Sequence, residues 1–326
     1  MHKKKHRIIL RKYIKIMSDM SEQNNKEPAV TNNAEKTIIK HIVCSGGGVT
    51  GFAFYGAIKE SYKQGIWHID NINTIYGTSV GSIFAVILTL KYDWDTLDDY
   101  LIKRPWQNVF KFNLYSIFES LQRRGIFGRE TIVDLFLPLF NGKDISIDIT
   151  MLELYELTQI EVHMFATDIN IFHITDISYK THPNWKVVDA VYSSCAIPII
   201  FSPFFKDNSC YCDGGLLTNY PLKECIDNGA APEEVIGLCH IYNSEHIESV
   251  SVESSLLDYV MTIIKKLLGV TLSANSYNIA KEFRISSPSI SIYDIVNTTS
   301  DINERIRLIQ QGIDCVKTTL GITSVK

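Results

Sequence analysis

The run Ile72-Asn73-Thr74-Ile75-Tyr76 leads into Gly77-Thr78-Ser79-Val80-Gly81, and Ser82 to Leu90 leads out as an apolar stretch at helical spacing. The reading of those residues decides the fold. An apolar β-branched run, then G-x-S-x-G, then a helix is a strand–turn–helix unit with a serine at its tip. The chemistry behind the spacing is steric. A serine on so sharp a turn has a strained backbone, and Gly77 and Gly81 remove the side chains that would crowd it. The helix that follows points its N-terminal N–H groups toward the same spot and favours negative charge there. A Gly-rich βα turn in a parallel sheet gives the same pentapeptide without any chemistry, so the motif needs company.

Working outward, Thr37–Ser45 is a second apolar run. It ends in Gly46-Gly47-Gly48-Val49-Thr50-Gly51, and Phe52–Gln64 follows as a helix. Such a loop exposes backbone N–H groups and can cradle an anion. It also fits the dinucleotide fingerprint G-x-G-x-x-G, with Asp70 about 20 residues on as the ribose-binding acid. Against that reading, Asp70 falls in the polar turn Asp70-Asn71 before a strand, and the next βα turn carries the serine.

The rest of the chain supplies strands and helices in alternation. Tyr92–Gln122 reads as helical, as does Gly128–Leu137, which Pro138 ends. Ile149–Leu157 is a short helix. Glu161–Thr167 and Ile171–Ile177 read as neighbouring strands with a tight connection. Val187–Ala196 is a helix stopped by Pro198. Ser209–Cys212 is a strand entering Asp213-Gly214-Gly215, and Tyr220–Asn228 is a helix with Pro221 in its first turn. Val235–Ile241 is a strand, and from Ser254 amphipathic helices dominate, notably Leu256–Leu268 and Asp301–Leu320. This order predicts an α/β fold: a mostly parallel central sheet flanked by helices, with a helical C-terminal part. The expected division is a basic segment and linker at 1–36, a catalytic core at 37–230, and 231–326 as a last strand and helices completing the same domain.

Composition narrows the function. The 326 residues carry a net charge of -4, which argues against a general nucleic-acid binder. The seven cysteines form no C-x-x-C, and their number is odd. That predicts no metal site, no disulfide framework and an intracellular, reducing compartment. No apolar run is long enough to span a bilayer, and the basic N-terminus lacks the apolar core of a secretory signal. On a helix, Ile9, Leu10, Tyr13, Ile14 and Met17 share one face, and most of the basic side chains of Lys3, Lys4, Lys5, Arg7, Arg11, Lys12 and Lys15 take the other. That is the pattern of a peripheral membrane anchor, and equally of a solvated basic tail.

A serine hydroxyl needs a base to take its proton, and acyl transfer needs donors for the oxyanion. Asp213 follows a short strand and precedes two glycines, which puts its carboxylate at the carboxyl edge of the sheet. The backbone N–H groups of Gly46, Gly47 and Gly48 are the candidate oxyanion donors. The ordered set of Gly-rich loop, G-x-S-x-G and late Asp-Gly-Gly resembles the patatin-like phospholipase family. The linking segments Phe165-Ala166-Thr167-Asp168, Ser194-Cys195-Ala196-Ile197-Pro198 and Leu216 to Leu222 resemble it too. The likeness runs from about residue 38 to about 225. It implies a patatin-like three-layer α/β/α fold and a dyad with Ser79 as nucleophile and Asp213 as proton acceptor, Gly51, Gly77, Gly81, Gly214 and Gly215 completing the motifs. It implies hydrolysis of acyl esters of phospholipids and neutral lipids with no cofactor, transient contact with a membrane surface, and an activating partner left open. One departure stands out: many members carry Arg or Lys just before the last glycine of the loop, where this chain has Thr50.

Other readings stay open on the residues alone. A Ser79/Asp213/His240 triad would follow the α/β-hydrolase order, whereas His173 and His182 precede the acid. A non-hydrolytic nucleotide-binding protein would use the Gly46–Gly51 loop. A lipid-binding scaffold and an acyltransferase are the remaining alternatives. A lid, if there is one, is expected in Asp93–Arg129.

Overall fold

A computed structural model gives the fold and describes residues 37–112, 120–242, 249–273, 277–287 and 291–322. The basic segment and linker at 1–36 lie outside them.

Among the described residues the first strand lies inside the sheet, with a neighbour on each side. Strand β1 (His41–Cys44) pairs in parallel with β2 (Thr74–Thr78) on one side and with β9 (Val235–Tyr242) on the other. Beyond β9 lies β10 (Lys281–Ser287), also parallel; beyond β2 lies β4 (Glu161–Asp168), parallel again. The far side is antiparallel: β5 (His173–Ile177) and β8 (Ser209–Asp213) both pair with β4, and β7 (Phe204–Lys206) pairs with β8. A separate two-stranded ribbon joins β3 (Gly125–Phe127) to β6 (Ile199–Phe201). The strands alternate in what they bury. Val43, Tyr76 and Phe165 pack with Tyr220 and with Leu222 and Cys225 of the short helix Leu222–Asp227 on one face. Ile42, Cys44 and Ile75 pack on the other face with the larger core. A sheet covered on both faces needs strands rich in apolar residues, as the sequence has.

That larger core is built by α1 (Gly51–Lys63), α2 (Val80–Thr89), α3 (Arg129–Asn141), α4 (Val187–Cys195), α5 (Leu256–Ser273), α6 (Ile292–Ser300) and α7 (Ile302–Thr319). Helices α1 and α7 touch backbone to backbone. A Cβ on Gly56 would lie 2.0 Å from the Ile309 carbonyl oxygen, and one on Gly312 only 1.9 Å from that of Ala53.

Several expectations need correction. Tyr92–Gln122 is not one helix. It breaks into Trp94–Asp98, a wide turn at Asp99–Lys103 and a short turn at Trp106–Asn108. Pro105 is the cause: Arg104 before it is extended, as a residue preceding proline must be. Helix α3 does not end at Pro138 but continues to Asn141. A proline there cannot donate to the Asp134 carbonyl four residues back. Arg104 Nη2 donates to that carbonyl instead, at 2.6 Å, so the orphaned acceptor has a partner from outside the helix. Strand β10 interrupts the all-helical C-terminal reading. Phe283 and Ile285, both buried, alternate there with exposed Arg284 and Ser286, the period of a half-covered edge strand.

Candidate active site

The two glycine-bearing turns meet because β1 and β2 are adjacent and parallel, so both open at the same edge of the sheet. Ser79 sits alone between the end of β2 and the start of α2, with φ 55 and ψ -124. A positive φ is costly for serine, and persists only where the surroundings fix it. The Ser79 N–H donates to Ser194 Oγ at 2.9 Å, and that hydroxyl donates to the Phe165 carbonyl at 2.7 Å. The Ser79 carbonyl accepts from the Ser82 N–H at 2.8 Å and from Ser82 Oγ at 2.6 Å. The glycines are steric necessities: a Cβ on Gly77 would lie 2.4 Å from the Gly81 backbone, and one on Gly81 would lie 2.3 Å from the Cys44 carbonyl oxygen.

Asp213 ends β8, paired with Ala166 of β4. Its N–H donates to the Ala196 carbonyl at 3.0 Å, and its own carbonyl accepts from Thr167 Oγ1 at 3.1 Å. The side chain is 2 % exposed. Burial pushes its carboxyl up to about 6, held back by the Ser79 hydroxyl and by the Gly215 N–H, which donates to Oδ1 at 2.8 Å. The Ser79 hydroxyl is thus close enough to be felt, yet buried Oδ2 makes no hydrogen bond of standard geometry among the described residues. Catalytic contacts of this kind commonly tighten only when substrate is bound. Gly214 is required because a Cβ there would meet the Phe165 carbonyl oxygen at 2.1 Å.

The Gly-rich loop is not uniform. Gly46 gives its N–H to the Asn219 carbonyl at 2.9 Å, so that donor is already committed. Gly47 packs on His240, whose Cβ is 3.2 Å from the position of a Gly47 Cβ, and Gly48 takes φ 55. Gly51 lets α1 approach α2, since a Cβ there would lie 2.5 Å from Val80 Cγ2. Thr50 is fully buried, its N–H on the Gly47 carbonyl at 3.1 Å.

Ser79 lines an apolar pocket whose empty space, open solvent at its entrance included, is about 930 Å³. Its walls come from α1 and α2 (Phe52, Phe84), the segment after α2 (Leu101, Trp106, Phe110), α3 (Leu135), the residues after α4 (Ile197) and α6 (Ile295). Leu101, Trp106 and Phe110 of the expected lid segment are therefore pocket wall. Residues 113–119 of it lie outside the described residues.

The other sequence candidates separate from this site. Asp70 lies in an exposed turn before β2, at the amino edge of the sheet, and pairs with Lys91 at 3.4 Å and His68 at 3.3 Å. The Gly-rich loop is at the opposite edge, so the two cannot share a nucleotide. His240 is fully buried under that loop, with its N–H on Ser45 Oγ at 2.8 Å; Ser79 and Gly215, not an imidazole, hold the Asp213 carboxyl down. His173 is exposed at the start of β5, and His182 stacks edge-on against Trp185. Sequence reading missed Thr218 and Asn219, which tie the site together: Thr78 Oγ1 donates to the Thr218 carbonyl at 2.9 Å, one residue before the nucleophile candidate. Their short polar side chains after a glycine turn look like any loop.

The family model for patatin-like phospholipases matches residues 42–226, from β1 through the Asp-Gly-Gly turn. The chain belongs to the patatin-like phospholipase family. The patatin-like chain is 25% identical over 304 residues to the uncharacterized protein R571 of Acanthamoeba polyphaga mimivirus, covering 89% of this chain and 97% of that one. It is 30% identical over 189 residues to the probable lipid hydrolase 463L of Invertebrate iridescent virus 6, covering 57% of this chain and 63% of that protein. Among solved structures, VipD from Legionella pneumophila is similar in fold, with a TM-score of 0.53 at 17% identity over 87% of this chain and 67% of that one. Membership supports lipid hydrolysis. Among the described residues no helix is long and apolar enough to cross a membrane.

Proposed function

We propose that the protein is a serine-dependent lipid acyl hydrolase in which Ser79 is the nucleophile and Asp213 its base. One observation carries the reading: a half-buried serine on a strained turn, lining an apolar pocket, beside a buried carboxyl raised to about 6. An acyl chain fills the pocket and brings its ester carbonyl to Ser79 Oγ. Oγ attacks while Asp213 takes the proton, and the Gly47 and Gly48 N–H groups stabilise the oxyanion, Gly46 being committed elsewhere. The tetrahedral adduct collapses; the leaving alcohol takes the proton from Asp213. Water then attacks the acyl-enzyme, giving Asp213 its proton, and Ser79 Oγ recovers a proton as the fatty acid leaves. Residues 37–230 and 231–326 act as one catalytic domain, since α6 lines the same pocket as α1. Contact with the lipid surface is transient, made at the open side of the pocket.

The test is fatty-acid release from vesicles of mixed phospholipid and triacylglycerol. Wild type should release acid, and Ser79→Ala and Asp213→Asn, folded, should lose at least about a thousandfold in rate. His240→Ala should retain turnover; its loss in a folded protein would restore the triad. A Ser79→Ala protein with undiminished activity would sink the proposal.

A further inference from the structure

The site contains a polar group that the dyad does not use. Asn219 is 1 % exposed and lies six residues after Asp213. Its carbonyl holds the Gly46 N–H at 2.9 Å. Its side-chain Oδ1 fills the space that two missing side chains leave: it is 2.3 Å from where a Gly46 Cβ would be and 2.8 Å from that of Gly215. The same two glycine faces look onto the reacting groups. Ser79 Cβ is 3.2 Å from the Gly46 position, and Asp213 Oδ1 is 2.9 Å from the Gly215 position. The carboxamide therefore stands between the Gly-rich loop, the serine elbow and the Asp213 turn. Its Nδ2 is buried and has no hydrogen-bond partner among the described residues; nor has Asp213 Oδ2. A buried donor and a buried acceptor left open in one small site call for an explanation.

Resting on the dyad reading, we propose that Asn219 is a positioning residue for the second half of the reaction, its carboxamide donating to the Asp213 carboxylate in the acyl-enzyme. The argument follows the donors. Before reaction the Gly215 N–H donates to Oδ1, and the Ser79 hydroxyl lies near the carboxylate without a hydrogen bond of standard geometry, free to turn its hydrogen toward it. Once Ser79 is acylated that hydrogen is gone, and with it a donor the carboxylate could draw on. Asp213 must nevertheless be an anion again to take a proton from water. In so buried a place a carboxylate that loses a donor is protonated more readily and is a poorer base. The open N–H of Asn219 is the group at hand to replace the lost one. No covalent bond changes at Asn219: it donates a hydrogen bond throughout, and the proton passes from water to Asp213 and on to Ser79 Oγ.

The proposal separates the two half-reactions, and burst kinetics reads them separately. A p-nitrophenyl ester of a medium-length fatty acid releases its phenolate on acylation and its acid on deacylation. In Asn219→Leu, which keeps the volume without the donor, the burst of phenolate should persist at near wild-type rate. The steady-state rate should fall roughly ten- to a hundredfold, the worth of one hydrogen bond to a charge. The acyl-enzyme should then accumulate and be visible by mass as an adduct on Ser79. Asn219→Ser, small and able to donate through water, should recover part of the lost rate, and also serves if the leucine variant does not fold. Equal slowing of burst and steady state would overturn the proposal and reduce Asn219 to a spacer. Unchanged kinetics in both variants would overturn it as well. If the wild type shows neither burst nor labelling of Ser79 by a fluorophosphonate, the dyad reading fails first, and this inference with it.

Discussion

Replacing Asp213 by asparagine should make the protein more stable while removing its activity. The carboxyl is 2 % exposed and burial lifts it from 3.8 to about 6. Its native-state value thus lies above its unfolded one, so the native state binds the proton more tightly. Between about pH 4 and pH 6 the native protein holds more protons than the unfolded chain, and stability falls as pH rises through that window. Above pH 6 the full cost of a buried carboxylate is present. Roughly two pH units at ~1.4 kcal/mol each put that cost near 3 kcal/mol, a ceiling because the interior relaxes around a charge. Asparagine has the same shape, keeps an oxygen for the Gly215 N–H and carries no charge. Urea unfolding of wild type and Asp213→Asn at pH 7.5 and at pH 4 gives a difference of differences, in which every other titrating group cancels. We expect the variant to gain between about 1.5 and 3 kcal/mol at pH 7.5 and close to nothing at pH 4. An equal gain at both pH values, or a loss at pH 7.5, would refute the reasoning. The same carboxyl should set the acid limb of kcat/KM, which falls about tenfold per pH unit below 6 as the base is protonated.

Three other perturbations probe the frame around the site. Gly312→Ala places a methyl 1.9 Å from the Ala53 carbonyl oxygen and should cost ~3 kcal/mol, seen as an earlier urea midpoint. Arg305 is buried and donates to the carbonyls of Thr298 at 2.9 Å and Ile102 at 2.8 Å, tying α6 to the pocket wall. Arg305→Met should cost ~3 kcal/mol and raise KM for long-chain esters, which titration with ester chains of graded length would measure. Leu135→Trp fills part of the apolar pocket and should lower kcat/KM for long acyl chains by at least about tenfold, while leaving short esters near wild type.

The glycines explain why so much could be read from the sequence. Gly77, Gly81 and Gly214 each sit where a Cβ would strike backbone at 2.4 Å or less, so those positions admit no other residue and the motif shows in any reading. Parallel strands buried on both faces are rich in apolar residues, which is why β1, β2, β4 and β9 stood out. What stayed hidden depends on residues far apart in sequence. Pro138 ends a helix on local rules, but Arg104 supplies the missing partner from more than 30 residues away. Gly46 looked like an oxyanion donor until the Asn219 carbonyl, distant in the chain, took its N–H. The apolar pocket borrows a wall from α6, whose Ile295 and Thr299 belong to an ordinary amphipathic pattern. Strand β10 hid in a short charged alternation between helical runs.

Among the described residues the first strand lies inside the sheet rather than at its edge, and this orders events in time. Strand β1 is made early, yet one of its neighbours, β9, begins at Val235, and the helix that locks onto α1 spans Ile302–Thr319. During synthesis the edge of β1 that later receives β9 stays open for nearly two hundred residues, and the α1 surface around Gly56 waits longer still. Contacts of such sequence separation form slowly and leave apolar surface uncovered meanwhile. The apolar pocket shares this delay, because its wall from α6 is made long after the serine turn. A nascent chain therefore carries the serine turn well before it carries a complete apolar pocket, and a chaperone that shields the open edge of β1 would govern how much finished protein is obtained.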